Sequence, residues 1–165
     1  MIRQSVPDDA DWIRTVAAEV YAPLGDYGVI IPSWMAHPGV LTFVECDDKE
    51  AHRRGFILIG FYVPNDMPRG ALVADLLAIA VAAEHQRRGV GTILLTYAID
   101  LARMAGERVP VPELRLTVAD TNTRARKLFE SFEFEVLDEN HGSYDGGQRA
   151  IRMRHKLPGA GSVKG

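Results

Sequence analysis

The chain has 165 residues, 47% of them hydrophobic and 25% charged, with a formal net charge of −3 and a single cysteine. That length holds one full hydrophobic core rather than two, the single cysteine excludes an internal disulfide, and the acidic balance argues against general nucleic-acid binding. No apolar run is long enough to cross a bilayer and the opening "MIRQSVPDDADW" lacks a signal-peptide pattern, so the expectation is a cytoplasmic protein with neither nucleic acid nor membrane as partner.

Residues 1–6 read as a short strand. Pro7 and the acidic pair Asp8 and Asp9 then offer a helix start, with Trp12, Ile13, Val16, Ala17 and Val20 at helical spacing. Residues 21–39, "YAPLGDYGVIIPSWMAHPG", are punctuated by proline and glycine and are predicted as a long loop with one short helical turn. "VLTFVEC" (40–46) and "RGFILIGFYV" (54–63) read as strands, joined to the next by the turn-rich "PNDMPRG". Cys46 closes the first of these with no activating partner in sequence, which makes it structural. The five histidines (37, 52, 85, 141 and 155) show no close ligand spacing, and no metal site is expected.

"ALVADLLAIAV" (71–81) is apolar on both faces, as a central strand is. Asp75 is its only carboxylate and, by simple alternation, shares a face with Leu77, Ile79 and Val81. The helix that follows carries the most regular stripe in the chain: Val90, Ile93, Leu94, Tyr97, Ala98, Leu101, Ala102 and Ala105, stopped by Gly106. "ELRLTVA" (113–119) is another strand. Asp120 or Thr121 is placed as the cap of a shorter helix with Ala125, Leu128, Phe129 and Phe132 on one face. "EFEVLDE" and "QRAIRMRHKL" finish as strands, the latter with Arg152, Arg154 and Lys156 on an exposed side. The sum is an α/β or α+β domain over 1–157, with a mixed sheet, helices on both faces and a mobile tail at 158–165.

Between the central strand and its helix lies "EHQRRGVGTILL" (84–95). Gly89 and Gly91 remove side chains that would hold a ligand off the backbone, and the helix start adds free N–H groups and a positive dipole end. With Arg87 and Arg88 at the mouth, this makes a pyrophosphate cradle. A plain solvated turn, with Glu84 and His85 as turn residues, is the alternative. The third glycine of a dinucleotide fingerprint and the Gly-Lys-Ser/Thr of an ATPase loop are both missing.

The segment resembles the acyl-CoA-binding motif of the GNAT acetyltransferase superfamily, Q/R-x-x-G-x-G/A after a central strand, through Gln86, Gly89 and Gly91. "NTRARKLFESFEF" is similar to that family's second signature through Asn122, Ala125, Leu128 and Phe134. The resemblance implies a mostly antiparallel central sheet whose two middle strands splay, and acetyl-CoA as co-substrate without a metal. By position it puts Ile79, Ala80 and Val81 on the pantetheine arm, and an N–H of this stretch on the oxyanion. Arg87, Arg88, Gly89, Val90, Gly91 and Thr92 enclose the pyrophosphate, with Asn122 near the arm.

The same resemblance exposes departures. Phe129 stands where a tyrosine often protonates the departing thiolate, Glu133 replaces a glycine, and Thr117 stands where the protein N-terminal branch often has glutamate. "SYDGGQRAIRM" nevertheless resembles that branch's final hairpin through Tyr144, Gly147, Ala150 and Met153. Asp75, with burial raising its pKa, is one candidate base, and His141 and Tyr144 are candidate proton-relay groups. Tyr27, Trp34 and Met35 are candidate walls for the acceptor. The expected partner is an amine, small molecule or peptide N-terminus, with a homodimer as an allowed assembly. Phe129 and Thr117 also leave open a non-catalytic acyl-CoA-binding domain.

Overall fold

The structure, a computed structural model, describes residues 1–49 and 52–158. The tail expected to be mobile therefore lies, from residue 159 on, outside the described residues. The strands are β1 (Ile2–Gln4), β2 (Val40–Cys46), β3 (Arg53–Tyr62), β4 (Val73–Val81), β5 (Glu113–Ala119), β6 (Glu135–Asp138) and β7 (Ala150–Lys156). They form one seven-stranded sheet in the order β1-β2-β3-β4-β5-β7-β6. Every neighbouring pair is antiparallel except β4 and β5, which run parallel. The helices are α1 (Ala10–Val20), α2 (Tyr27–Met35), α3 (Val90–Ala105) and α4 (Thr123–Ser131). No helix among the described residues is long and apolar enough to cross a membrane.

Each face of the sheet has its own core. α3 lays Leu94, Leu95, Ala98 and Ala102 on Ile57, Ile59, Leu114 and Leu116. On the other face α1 and α2 bury Ile13, Val16, Ala17 and Ile31 over Val44, Phe56 and Leu58. The stripe expected on α3 is right except at Ile93, which is 43% exposed; Leu95 is buried in its stead.

Residues 21–39 depart from the predicted loop. Nine of them form α2, despite Pro32 inside it. Proline at this position removes one internal hydrogen bond. The loss is offset by tertiary packing: Ile31 is fully buried against α1, and Tyr27 and Trp34 meet edge to face at 6.1 Å. Local punctuation signals could not anticipate that packing.

β4 also departs from simple alternation. Its ladder with β3 slips between Leu58 and Ile59, so that Leu77 is the extra residue. Asp75 lies opposite Gly60 on the α1/α2 face, whereas Ile79 lies opposite Ile57 on the α3 face. The expectation that Asp75 shares a face with Ile79 and Val81 is thus corrected by one bulge. The cap of α4 shifts as well: Asn122, not Asp120 or Thr121, accepts from the Ala125 N–H at 3.1 Å.

One buried charge ties β1 to β3. Asp9, fully buried, accepts from Arg3 at 2.8 and 3.0 Å, from Arg53 at 2.7 Å and from the Val6 N–H at 2.8 Å. The Arg3 hydrogen bonds, then those from Val6 and Arg53, outweigh burial and hold its carboxyl far below the usual range. A depressed carboxyl contributes stability in full above its unfolded pKa of about 4, and that contribution is lost as pH falls further. Urea denaturation should show Asp9→Asn less stable by about 3 kcal/mol at pH 7. The gap from the parent chain should narrow as pH falls below about 4.

Candidate active site

The parallel ladder of β4 and β5 is short. Ala74, Asp75 and Leu76 face Leu114, Arg115 and Leu116, and pairing then stops. Beyond it the strands diverge around a gap lined by Leu77–Ile79 on one side and Thr117–Ala119 on the other. Asn122 and Phe129 close it from α4, and Tyr21, Tyr27 and Tyr144 ring its far side. Phe129 is buried and packs on Phe134 at 5.8 Å, so it fills space and offers no proton.

At the head of the gap the chain bends through a 3-10 turn (Ala83–His85) into α3. Arg87 and Gly89 both take left-handed backbone, φ 64° and 82°, which is costly for a side-chain-bearing residue and easy for glycine. Nothing lies within 4 Å of the place a Cβ on Gly89 would occupy. The first helical bond of α3 runs from the Ile93 N–H to the Gly89 carbonyl at 3.1 Å. The N–H groups of Val90, Gly91 and Thr92 therefore have no acceptor within the helix. These residues line a concavity with Ile79–Val81, Gln86, Arg87 and Asn122. Such backbone donors at a helix N-terminus fit a phosphate-bearing ligand.

Four details differ from the expected cradle. Arg88 is exposed and does not line it, whereas Arg124, from the first turn of α4, does. The Gln86 side chain donates to the Val81 carbonyl at 3.0 Å. The Ile79 N–H, within the stretch expected to serve the oxyanion, donates to the Tyr21 hydroxyl at 3.0 Å. The Oδ1 of Asn122 caps α4, so any contact to a ligand falls to its amide nitrogen.

At the other end, Asp75, His141 and Tyr144 line a single cavity with Tyr27, Trp34, Leu77, Thr117 and Arg152. The sequence scattered these candidates over 70 positions; the sheet gathers them. Arg152, expected on an exposed face, is 8% exposed. Its guanidinium donates to both Asp75 oxygens at 3.3 and 3.1 Å, to Thr117 Oγ1 at 3.1 Å and to the Tyr62 hydroxyl at 2.9 Å. The cause is position: β7 lies beside β5, and the β5 neighbour of Arg152 is Thr117. His141 is about half exposed, 3.7 Å from Asp138. Burial, with a smaller contribution from Tyr27, pushes the Tyr144 phenol up to about 12.

The loop carrying Tyr144 is fastened across the cleft. The Gly146 N–H donates to the Leu24 carbonyl at 3.1 Å, and Gln148 Nε2 to the Pro23 carbonyl at 2.9 Å. A Cβ at Gly146 would collide with the Pro23 carbonyl, so only glycine permits this approach. Tyr21, Arg124 and Arg152 were missed as site residues. Arg124 had a signal, two places after Asn122, but nothing local marked the other two.

The described residues thus form a mixed sheet that opens at its one parallel pair, with a helix N-terminus at the opening. Residues 10–134 match the family described as acetyltransferase (GNAT), and the chain belongs to that family. Among solved structures, it superposes on Arabidopsis thaliana NAA60 in complex with a bisubstrate analogue, with TM-score 0.78 and 11% identity over 97% of this chain and 99% of that one. The acetyl-CoA complex of the same plant protein gives 0.74 and 13%, over 96% and 99%. The Escherichia coli ribosomal-protein-S18-alanine N-acetyltransferase gives 0.64 and 24%, over 95% and 93%. At such identities the likeness is one of fold. No curated protein sequence matches the chain.

The Asp75–Arg152 pair is open to a double-mutant cycle. Arg152→Met alone should cost about 3 kcal/mol in chemical denaturation, because it leaves a largely buried carboxylate without its guanidinium partner. Combined with Asp75→Asn, the loss should fall short of the sum by about 1 kcal/mol or more.

Proposed function

We propose that the protein is an acetyl-CoA-dependent N-acetyltransferase, a single catalytic domain over residues 1–157, acting on a primary amine of a small molecule or a peptide N-terminus. The observation that carries this is the β4/β5 gap opening directly onto the backbone donors around Gly89. The likeness to NAA60 bound to acetyl-CoA, and to NAA60 bound to a bisubstrate analogue, supports both halves of the reading.

When bound, acetyl-CoA supplies a thioester carbonyl activated towards a nitrogen lone pair. The chain's own contribution begins with Arg87, Arg124 and the N–H groups of Val90 to Thr92, which hold the diphosphate. Ile79, Ala80 and Val81 give the acyl arm a strand edge to lie along, with Phe129 and Asn122 opposite. Fixing the carbonyl beside the amine in this way contributes up to about 7–11 kcal/mol in favourable intramolecular cases. Direct attack needs no enzyme nucleophile, and Cys46 is buried away from the cleft.

His141, half exposed in the same cavity, takes the amine proton. Tyr144, held protonated by burial, serves the departing sulfur in place of Phe129. Asp75 has both oxygens on Arg152 and acts as its anchor, fixing the floor of the acceptor cavity.

Calorimetric titration with acetyl-CoA tests the reading. The parent chain should bind, and Gly89→Glu, which puts a carboxylate into the cradle, should abolish binding; a parent chain that fails to bind removes the proposal. In a thiol-release assay over an amine panel, Tyr144→Phe should lower kcat by about 100-fold. Binding without thiol release from any amine would instead favour a non-catalytic acyl-CoA sensor, the reading that Phe129 in the gap supports.

A further inference from the structure

In an antiparallel ladder, alternate residues turn both backbone groups towards their partner strand and the residues between turn theirs away. The Ala82 N–H donates to the Arg54 carbonyl at 2.9 Å, which sets the phase of β4 against β3. Ile79 and Val81 therefore present N–H and C=O to the side that β5 has left. These are the groups along which an acyl arm would pair.

Both residues are already engaged by the protein's own side chains. The Tyr21 hydroxyl accepts from the Ile79 N–H at 3.0 Å and donates to the Ile79 carbonyl at 2.7 Å. Gln86 donates to the Val81 carbonyl. Tyr21 thus places an oxygen on the donor and a proton on the acceptor of one strand residue, the pattern that a thioester oxygen and a neighbouring amide N–H would offer. Burial pushes its phenol above the ordinary tyrosine value, so it stays a donor at neutral pH.

Resting on the acetyltransferase reading, we infer that Tyr21 is the resident competitor of the acyl group: its hydroxyl holds Ile79 until the thioester takes its place. Tyr21 ends α1, and the segment behind it, Pro23 and Leu24, carries the hydrogen bonds to Gly146 and Gln148 beside Tyr144. Displacing Tyr21 therefore loosens the clasp over the acceptor cavity.

The decisive variant is Tyr21→Phe, which keeps the ring against Tyr27 and removes only the hydroxyl. Calorimetry should show it binding acetyl-CoA about tenfold more tightly than the parent chain, the worth of roughly one net hydrogen bond. The gain should be smaller for CoA, which lacks the thioester oxygen. General damage to the site cannot produce tighter binding. Equal or weaker affinity in Tyr21→Phe, with the parent chain still binding, overturns the competitor role and leaves the acetyltransferase reading standing. A parent chain that does not bind at all defeats both. On the unaltered protein, acetyl-CoA should speed amide hydrogen exchange at Leu24 and Gly146, whose N–H groups bond to Tyr21 and Leu24 carbonyls. Slower exchange at both would contradict displacement.

Discussion

The parting of β4 from β5 is the constraint on which the cleft depends. Two parallel strands joined through a helix would ordinarily zip along their full length. Here each is held more firmly by its antiparallel neighbour: eight paired residues tie β4 to β3, and seven tie β5 to β7. Three pairs join the two half-sheets. Each half keeps its own direction, and the bulge at Leu77 turns the outer part of β4 just where the last pair ends. The gap is therefore a consequence of two rigid bodies meeting over a short seam, and not of a flexible loop.

A strand edge left open in a protein interior must have its polar groups satisfied. The chain meets this requirement with side chains drawn from distant positions, Tyr21 at the end of α1 and Gln86 in the turn before α3. A full-length β5 partner would have satisfied the edge permanently, with no room for a ligand. Side-chain caps satisfy it reversibly, because a rotamer change costs far less than unzipping a strand. The same logic holds at the head of the gap, where the first-turn N–H groups of α3 are oriented by the helix itself and have no acceptor within it.

Legibility in the sequence follows this division. The strands, the helices α1, α3 and α4, the central place of β4 and the bend before α3 could be read because they rest on local chemistry: apolar runs, a helical stripe and the glycines at 89 and 91. Asp75 was placed on the wrong face because a bulge leaves no mark in a run such as "ALVADLLAIAV". α2 was missed because Pro32 and Gly28 signal a loop, while the burial of Ile31 that overrides them is a tertiary fact. Arg152 looked exposed beside Arg154 and Lys156, but its Asp75 partner lies 77 residues away. Only the strand order brings that pair together.

Placing Tyr144 at the departing sulfur raises a question of proton affinity. A phenol pushed up to about 12 is a weaker acid than a free thiol at about 8.5, so handing its proton outright to a thiolate is uphill. The nitrogen, however, carries one proton too many as it bonds to the carbonyl, and that proton is far more acidic than an ordinary ammonium. A phenol between the two can receive on its oxygen as it gives from its hydrogen, so that it never bears full charge. High proton affinity then becomes an advantage, because it keeps Tyr144 neutral before and after transfer. His141, more open to solvent, suits the separate task of stripping the amine as it enters. Before any ligand arrives, the docking of the Tyr144 loop on Pro23 and Leu24 holds the phenol in its half-buried position, and burial keeps it protonated.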